Sequence, residues 1–284
     1  MYVVAGATGN TGKIVAARLL EEGKEVRAWV RSEAKGGELA AKGAELAIVD
    51  LEDSASVEAG LAGAKAAYLL LPPAMGAEDM LALQAERAER LVAAAEKVGL
   101  EHIVVLSSIG AQHPDGTGPI RALHDFEQRI AAAGIPHSFV RAAYFQENWG
   151  SVLPVAAQDG VLPQMLGDAG RAIPMVATKD IGETAAKALL DGPQGVIELE
   201  GPERYSPADT AAAAGELLGK SVATVDVPFE AQEAQLQSFG ISADVAALFR
   251  EMNEGIARGH VDFDGTGTHV RGEQPLKATL ATLS

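Results

Sequence analysis

Three features of the sequence predict an α/β protein built on a doubly wound parallel sheet, with a smaller α/β lobe toward its C-terminal end. Short apolar runs alternate with amphipathic segments through the first two-thirds of the chain, as strand–helix–strand units around a parallel sheet do. A glycine-rich loop, Gly6 to Gly12, follows the first apolar run at once. After Arg141 the pattern changes: residues 142–178 are rich in Gly, Pro and Ala and only weakly periodic.

The elements follow in order. Tyr2–Ala5 reads as the first strand, and Thr11 to about Glu22 as a helix with Ile14, Val15, Leu19 and Leu20 at three-to-four spacing. In a second strand, Glu25–Val30, the apolar Val26, Ala28 and Val30 alternate with Arg27 and Trp29. Leu46–Val49, Ala66–Leu71, Ile103–Leu106 and Ser138–Val140 are the expected third to sixth strands. Helices are expected near Ser54–Leu61, Glu78–Val98 and Ile120–Ala133, with Ser54 as an N-cap and Gly99 and Gly134 as stops. Later come a helix over Asp180–Leu190 capped by Asp180, a strand at Val196–Leu199 and a helix opening at Ser206–Pro207. A strand at Val222–Val227, two helices within 230–258 and an irregular Gly-rich tail from Val261 complete the chain. No repeat or long low-complexity linker interrupts it, so the late segments are expected to pack on the first unit.

Composition narrows the function classes. A formal net charge of −16 over 284 residues disfavours nucleic acid and anionic membranes, which attract Lys- and Arg-rich surfaces. There is no cysteine, hence no disulfide framework and no thiolate site. The six histidines are scattered without metal-ligand spacing, so no metal site is expected. Gly-x-Ser-x-Gly, the hydrolase elbow, is absent. The chain begins without a charged leader, and no apolar run approaches the roughly 20 residues of a membrane span. A cytoplasmic protein acting on a small molecule, as a monomer or homodimer, is the expectation.

The loop carries the strongest chemical signal. Gly6, Gly9 and Gly12 fall at every third position around Thr8, Asn10 and Thr11, between a strand and a helix. Glycines there permit a tight turn, close approach of backbone to a pyrophosphate and close helix–strand packing. The unpaired N–H groups at the helix start then face the anion. Sites selective for NAD place Asp or Glu about 20 residues beyond the loop. This sequence has Arg31 there, then Ser32 and Lys35. A guanidinium binds a 2′-phosphate that a carboxylate would repel. The expected cofactor is therefore NADP(H), on a Rossmann unit over residues 1–150 to which 179–200 returns, with a discontinuous substrate lobe over 151–284. Ligands in such sheets gather at the carboxyl ends of strands. Asp50 and Leu51 are accordingly placed at the adenine edge, and Leu71, Pro72 and Pro73 near a ribose.

The opening Gly6-Ala7-Thr8-Gly9-Asn10-Thr11-Gly12, the Val30-Arg31-Ser32 segment and the run Gly134-Ile135-Pro136, Val140-Arg141, Phe145 and Asn148 together resemble the NmrA-like atypical short-chain dehydrogenase/reductase family. The tail, with Gly255-Ile256, Gly259, Gly272 and Pro275-Leu276, is similar to the end of that family. The resemblance implies a Rossmann domain, a small C-terminal lobe and a cleft between them. Members include NADPH-dependent quinone reductases, isoflavone-type reductases and NADP-binding regulators without chemistry. Short-chain dehydrogenases generally use a serine on the fifth strand and a Tyr-x-x-x-Lys pair on the next helix, the tyrosine as general acid. Ser107 and Ser108 match the serine position, Ser107 on the cofactor side and Ser108 on the substrate side. No Tyr-x-x-x-Lys occurs; the segment in that register is Ile120-Arg121-Ala122-Leu123-His124. Histidine as a residue type can donate a proton near neutral pH, and His124 is the candidate proton donor. Tyr144 and Asn148 are expected to line the substrate cleft. The activity implied is hydride transfer from NADPH to a small conjugated acceptor such as a quinone or enone. The alternative is an NADP(H)-sensing protein without turnover.

Overall fold

The computed structural model describes residues 1–283, leaving Ser284, the end of the expected substrate lobe, outside. Strands and helices first alternate strictly: β1 (Tyr2–Val4), α1 (Gly12–Glu21), β2 (Val26–Val30), α2 (Glu33–Ala41), β3 (Glu45–Ile48), α3 (Ser54–Leu61), β4 (Ala66–Leu69), α4 (Met80–Val98), β5 (His102–Ser108), α5 (Arg121–Ala132) and β6 (His137–Ala142). Then follow β7 (Tyr144–Phe145), α6 (Leu153–Asp159), β8 (Val161–Gln164), β9 (Ile173–Val176), α7 (Thr178–Asp191), β10 (Gly195–Glu200), β11 (Arg204–Tyr205), α8 (Pro207–Leu218), β12 (Ala223–Asp226), α9 (Phe229–Ser238), α10 (Ala243–Arg258), β13 (Thr268–Arg271) and α11 (Leu276–Leu280). The main sheet runs β13-β10-β6-β5-β4-β1-β2-β3, with every neighbouring pair parallel. Chain order reverses between β1 and β4, the kind of switch point at which open α/β sheets bind ligands.

Helices cover both faces, which is why β4 reads as an unbroken apolar run rather than an alternating one. On one face Val4, Ala28, Tyr68 and Val104 pack with Val15 and Leu19 of α1 and Ile181 and Leu189 of α7. On the other, Val3, Trp29, Ala67 and Ile103 pack with Leu61, Leu91, Phe126 and Ile130 of α3, α4 and α5. A third cluster, with Trp149, Leu162, Met175, Ala214, Ile256 and Leu280, joins the later elements to the loop after β5. Among the described residues no helix is long and apolar enough to cross a membrane. None of their His, Asp and Glu side chains gather in a group that could hold a metal.

Several expectations need correction. Ser54 is not the cap of α3: Asp53 is, its carboxylate accepting from the Ala55 N–H at 3.0 Å. Asp180 does not cap α7, which starts two residues earlier at Thr178. There the distant Glu147 carboxylate accepts from the Thr178 N–H (2.9 Å) and hydroxyl (2.6 Å). Asp180 instead holds the tail by accepting from the Gln274 N–H at 3.0 Å. Helix α2 had no counterpart in the sequence reading, because Gly36 and Gly37 lower its intrinsic propensity. The tail is not irregular: Thr268–Arg271 adds an edge strand to β10, and Leu276–Leu280 forms a helix. That pairing is long-range and leaves no local signature.

β5 also carries a buried titratable group. The Nε2 of His102 lies 3.0 Å from the Ser138 hydroxyl. Burial, aided by the nearby His137, pushes the His102 pKa down from 6.5 to about 4. The fold holds this ring neutral while an unfolded chain takes up a proton. Its contribution to stability is therefore complete above about pH 6.5 and is lost as pH falls toward 4. Moving from pH 7 to pH 5 should cost ~2 kcal/mol through this group. Urea denaturation at both values should show His102→Gln losing correspondingly less stability than the parent; an equal loss would remove His102 as the cause.

Candidate cofactor and substrate site

The Gly6–Gly12 loop leaves β1 at the carboxyl edge of the sheet. Gly6 takes φ +60°, a left-handed conformation suited to glycine, and its carbonyl accepts from the Gly9 N–H at 2.8 Å. Ala7 donates its N–H to the Trp29 carbonyl, tying the loop to β2. A Cβ on Gly12 would stand 2.2 Å from the Gly6 oxygen, so α1 starts in direct contact with the loop backbone. Among the described residues, the N–H groups of Thr8, Asn10, Thr11 and Gly12 find no protein acceptor. Together they form a concave row of donors at the positive end of α1, a cradle matched to a diphosphate. Thr11 contributes this N–H only, for its hydroxyl accepts from Tyr68 at 2.9 Å beneath the loop. Burial pushes the Tyr68 pKa far up, so the phenol stays a donor.

Arg31 and Lys35, just beyond β2, are exposed. Neither forms an ion pair within the described residues, although most arginines here do. Two cations left free in so acidic a chain fit a phosphomonoester. The Asp50 N–H donates to Ser56 Oγ (3.0 Å) and one oxygen of its carboxylate accepts from the Glu52 N–H (2.9 Å), so the N–H is used within its own turn while the second carboxylate oxygen stays open to a ligand. Leu51 beside it is half-buried against the core. Leu71, Pro72 and Pro73 leave β4 with Leu70 touching the phosphate loop. The Pro72 carbonyl accepts from the buried Gln84 amide at 2.7 Å.

Beyond β5 and β6 lies a cavity of about 240 Å³ that brings Ser108, Tyr144 and Asn148 together. Phe249, Met252 and Ile256 of α10 form its opposite, apolar wall. Apolar surroundings hold the Tyr144 hydroxyl up at about 12, opposed weakly by its hydrogen bond with Asn148. Near neutrality Tyr144 is thus a hydrogen-bond donor and no base. Ser107 points elsewhere: its hydroxyl donates to Glu127 at 2.5 Å, within a buried pair that Glu127 forms with Arg141. Its assignment to the cofactor is corrected on that ground. His124 is corrected too. Its Nδ1–H donates to the Ala111 carbonyl at 2.8 Å, and the ring is not part of the cavity lining. Sequence reasoning missed Tyr68 and Gln84, although a lone phenol or amide in an apolar stretch signals a buried hydrogen bond.

Comparison with known proteins places this geometry. The chain is 28% identical over 256 residues to an NAD(P)H azoreductase of Xenophilus azovorans, an alignment covering 89% of this chain and 86% of the relative. It is 26% identical over 275 residues to quinone oxidoreductase 2 of Escherichia coli strain K12, covering 94% and 92%. The crystal structure of an Escherichia coli NADPH-dependent quinone oxidoreductase in complex with NADPH superposes with a TM-score of 0.84 at 24% identity, over 100% of this chain and 99% of that one. With the NmrA-like family model matching residues 2–267, the chain belongs to the NmrA-like family.

Proposed function

We propose that this protein is an NADPH-dependent reductase acting on a small, planar, conjugated acceptor such as a quinone. The observation that carries the reading is a phosphate cradle flanked by the unpaired Arg31 and Lys35, on the same sheet edge as an apolar cavity with three polar groups. The azoreductase and quinone oxidoreductase relatives support it. In this reading residues 1–150, with 179–200, hold the cofactor and 151–284 shape the acceptor pocket. The protein works in the cytoplasm as a monomer or homodimer.

Bound NADPH supplies the hydride. The chain's own part is to hold and orient. Backbone N–H groups of the loop bind the diphosphate, and Arg31 and Lys35 bind the 2′-phosphate. The wall of Phe249, Met252 and Ile256 excludes water from the acceptor's ring. Tyr144 and Asn148 donate hydrogen bonds to an acceptor oxygen, favouring the form on which negative charge develops. With no lysine beside Tyr144 and a pKa near 12, the proton completing the reduction comes from solvent, which suits acceptors whose reduced form is a weakly basic phenolate.

Following nicotinamide absorbance with NADPH and a panel of quinones, enones and azo dyes tests the reading. Acceptor-dependent oxidation is expected. Tight NADPH binding without turnover on any acceptor would favour the sensing protein. Arg31→Ala should weaken NADPH binding about 10- to 100-fold, the scale of a lost charge-assisted pair, and leave NADH binding unchanged. Calorimetric titration of both cofactors separates these outcomes, and equal effects on the two would overturn the assignment of Arg31.

A further inference from the structure

Helices α4 and α10, far apart in sequence, begin side by side. Each N-terminus carries a partial positive charge and N–H groups without helical partners, so their meeting requires acceptors between them. Asp244, in the first turn of α10, accepts from the Met80 N–H at the start of α4 at 2.9 Å. Asp79 caps α4 itself through the Ala82 N–H. Ser242, the N-cap of α10, donates its hydroxyl to the Ala77 carbonyl (2.6 Å) and its N–H to the Met75 carbonyl (3.0 Å). Three hydrogen bonds thus fasten the α9–α10 hairpin to the loop between β4 and α4. Behind them Met80, Val245 and Leu248 form a small apolar cluster of their own.

This loop is the one that leaves β4 beside the phosphate cradle. On its inner side Leu70 touches Gly6 and Gln84 holds Pro72. On its outer side, among the described residues, the Ser242–Asp244 contacts and the small cluster hold it to the later part of the chain. Helix α10 runs on from this latch to form the wall of the acceptor cavity. Its middle is packed directly on the backbone after β5, since a Cβ on Gly118 would stand 1.9 Å from the Leu248 carbonyl oxygen. The end at 236–244 has no such seat. Phe239 and Met75 beside it are 70% and 40% exposed, and so thin a buried cluster opens more readily than the main cores. The hairpin is internally tied by Asn253 donating to Gln232 at 2.9 Å, and Gln232 in turn donates to the Met165 and Val227 carbonyls, so the hairpin is anchored at Gln232 and its free end lies beyond that anchor.

We infer that Ser242 and Asp244 are positioning residues forming a latch that closes the β4–α4 loop and the α9–α10 hairpin over the cofactor, and that cofactor exchange requires the latch to open. The inference rests on the proposed cofactor site and adds a control to it: residues assigned to the acceptor side set the lifetime of bound NADPH. Closure also couples the two halves of the site, because the helix that carries the latch carries Phe249 and Met252.

The test uses the full chain with and without NADPH. In Ser242→Ala and Asp244→Ala, backbone hydrogen exchange over residues 74–82 should rise about tenfold without cofactor. NADPH release by stopped-flow fluorescence should quicken about tenfold, and the KM for NADPH should rise with kcat unchanged or higher. Asp244→Asn, which keeps an acceptor for the Met80 N–H, should restore most of the slow release. Glu78→Gln, a neighbouring charge change outside the latch, should leave release unaltered. Should the alanine variants not fold, Ser242→Gly keeps a serviceable N-cap while deleting the bond to Ala77, and it should still speed release several-fold. Faster exchange with unchanged release and KM overturns the latch as a control of the cofactor. A parent protein that binds no NADPH overturns the cofactor reading first.

Discussion

Gly12→Ala should lower NADPH affinity by at least 100-fold while leaving most of the fold intact. The alanine methyl would meet the Gly6 carbonyl oxygen at 2.2 Å, the Gly6 carbonyl carbon at 2.7 Å and the Ala5 oxygen at 3.0 Å. All three are backbone atoms, so no rotamer change relieves the clash; either α1 retreats from β1 or the Gly6 peptide turns. Turning that peptide breaks the Gly9 N–H to Gly6 bond and disperses the donors that must converge on one diphosphate. A displacement of about 1 Å at such a cradle forfeits most of its binding, because converging hydrogen bonds weaken steeply with angle and distance. Gly9→Ala is the internal comparison: its nearest contact is 3.2 Å, and a several-fold loss is expected. Calorimetric titration of NADPH, beside thermal melts followed by circular dichroism, separates a binding defect from unfolding. If Gly12→Ala bound NADPH like the parent, the loop would not be the diphosphate site.

The sheet was legible because its strands are covered on both faces, so that Tyr2–Val4, Ala66–Leu69 and Ile103–Leu106 survive as apolar runs whatever their neighbours. The cradle was legible because a strand, three spaced glycines and a helix are contiguous in sequence. What escaped depends on distant partners. Strand β13 exists because β10 offers it a free edge, and the cap of α7 is a glutamate 31 residues away. Adjacent strand residues point to opposite faces, so of Ser107 and Ser108 only one could line the cavity; the face followed from α5, whose Glu127 captures Ser107. The apolar cavity wall of Phe249, Met252 and Ile256 was missed, because apolar residues at helical spacing do not say whether they face a core or a cavity. His124 lies outside the cavity lining because the Ala111 carbonyl holds its Nδ1–H, and the Asp50 N–H is taken up by Ser56 within its own turn; neither local bond has a signature in the sequence.

Breaking the Glu127–Arg141 pair should produce the largest loss of stability, about 3–5 kcal/mol for either single substitution. The guanidinium Nη2 lies 2.6 Å from Glu127 Oε2, and Nε lies 3.1 Å from Oε1, which also accepts from Ser107. Both side chains are almost wholly buried, Glu127 at 2% and Arg141 at 8%. Burial alone opposes the charge on Arg141, yet the hydrogen bond and charge of Glu127 outweigh it and raise its pKa. Glu127→Gln removes that compensation and leaves a desolvated cation, relieved only in part by the more distant Asp264 and Glu198. Replacing both, as Glu127→Leu with Arg141→Met, should cost much less than the sum of the singles, since no unpaired charge remains. Urea denaturation of the parent, Glu127→Leu, Arg141→Met and the double variant closes the cycle, and additive losses would mean the pair is not coupled. The cycle also bears on chemistry. Helix α5 is where related dehydrogenases carry their tyrosine and lysine, and here its inward face presents Phe126 and Glu127 to the core instead. Glu127→Gln should therefore lose stability but keep kcat within about threefold at a temperature where it stays folded, because in the proposed reading Tyr144 and Asn148 bind the acceptor without it. A collapse of kcat in a folded Glu127→Gln protein would transfer the proton chemistry from solvent to this buried carboxylate.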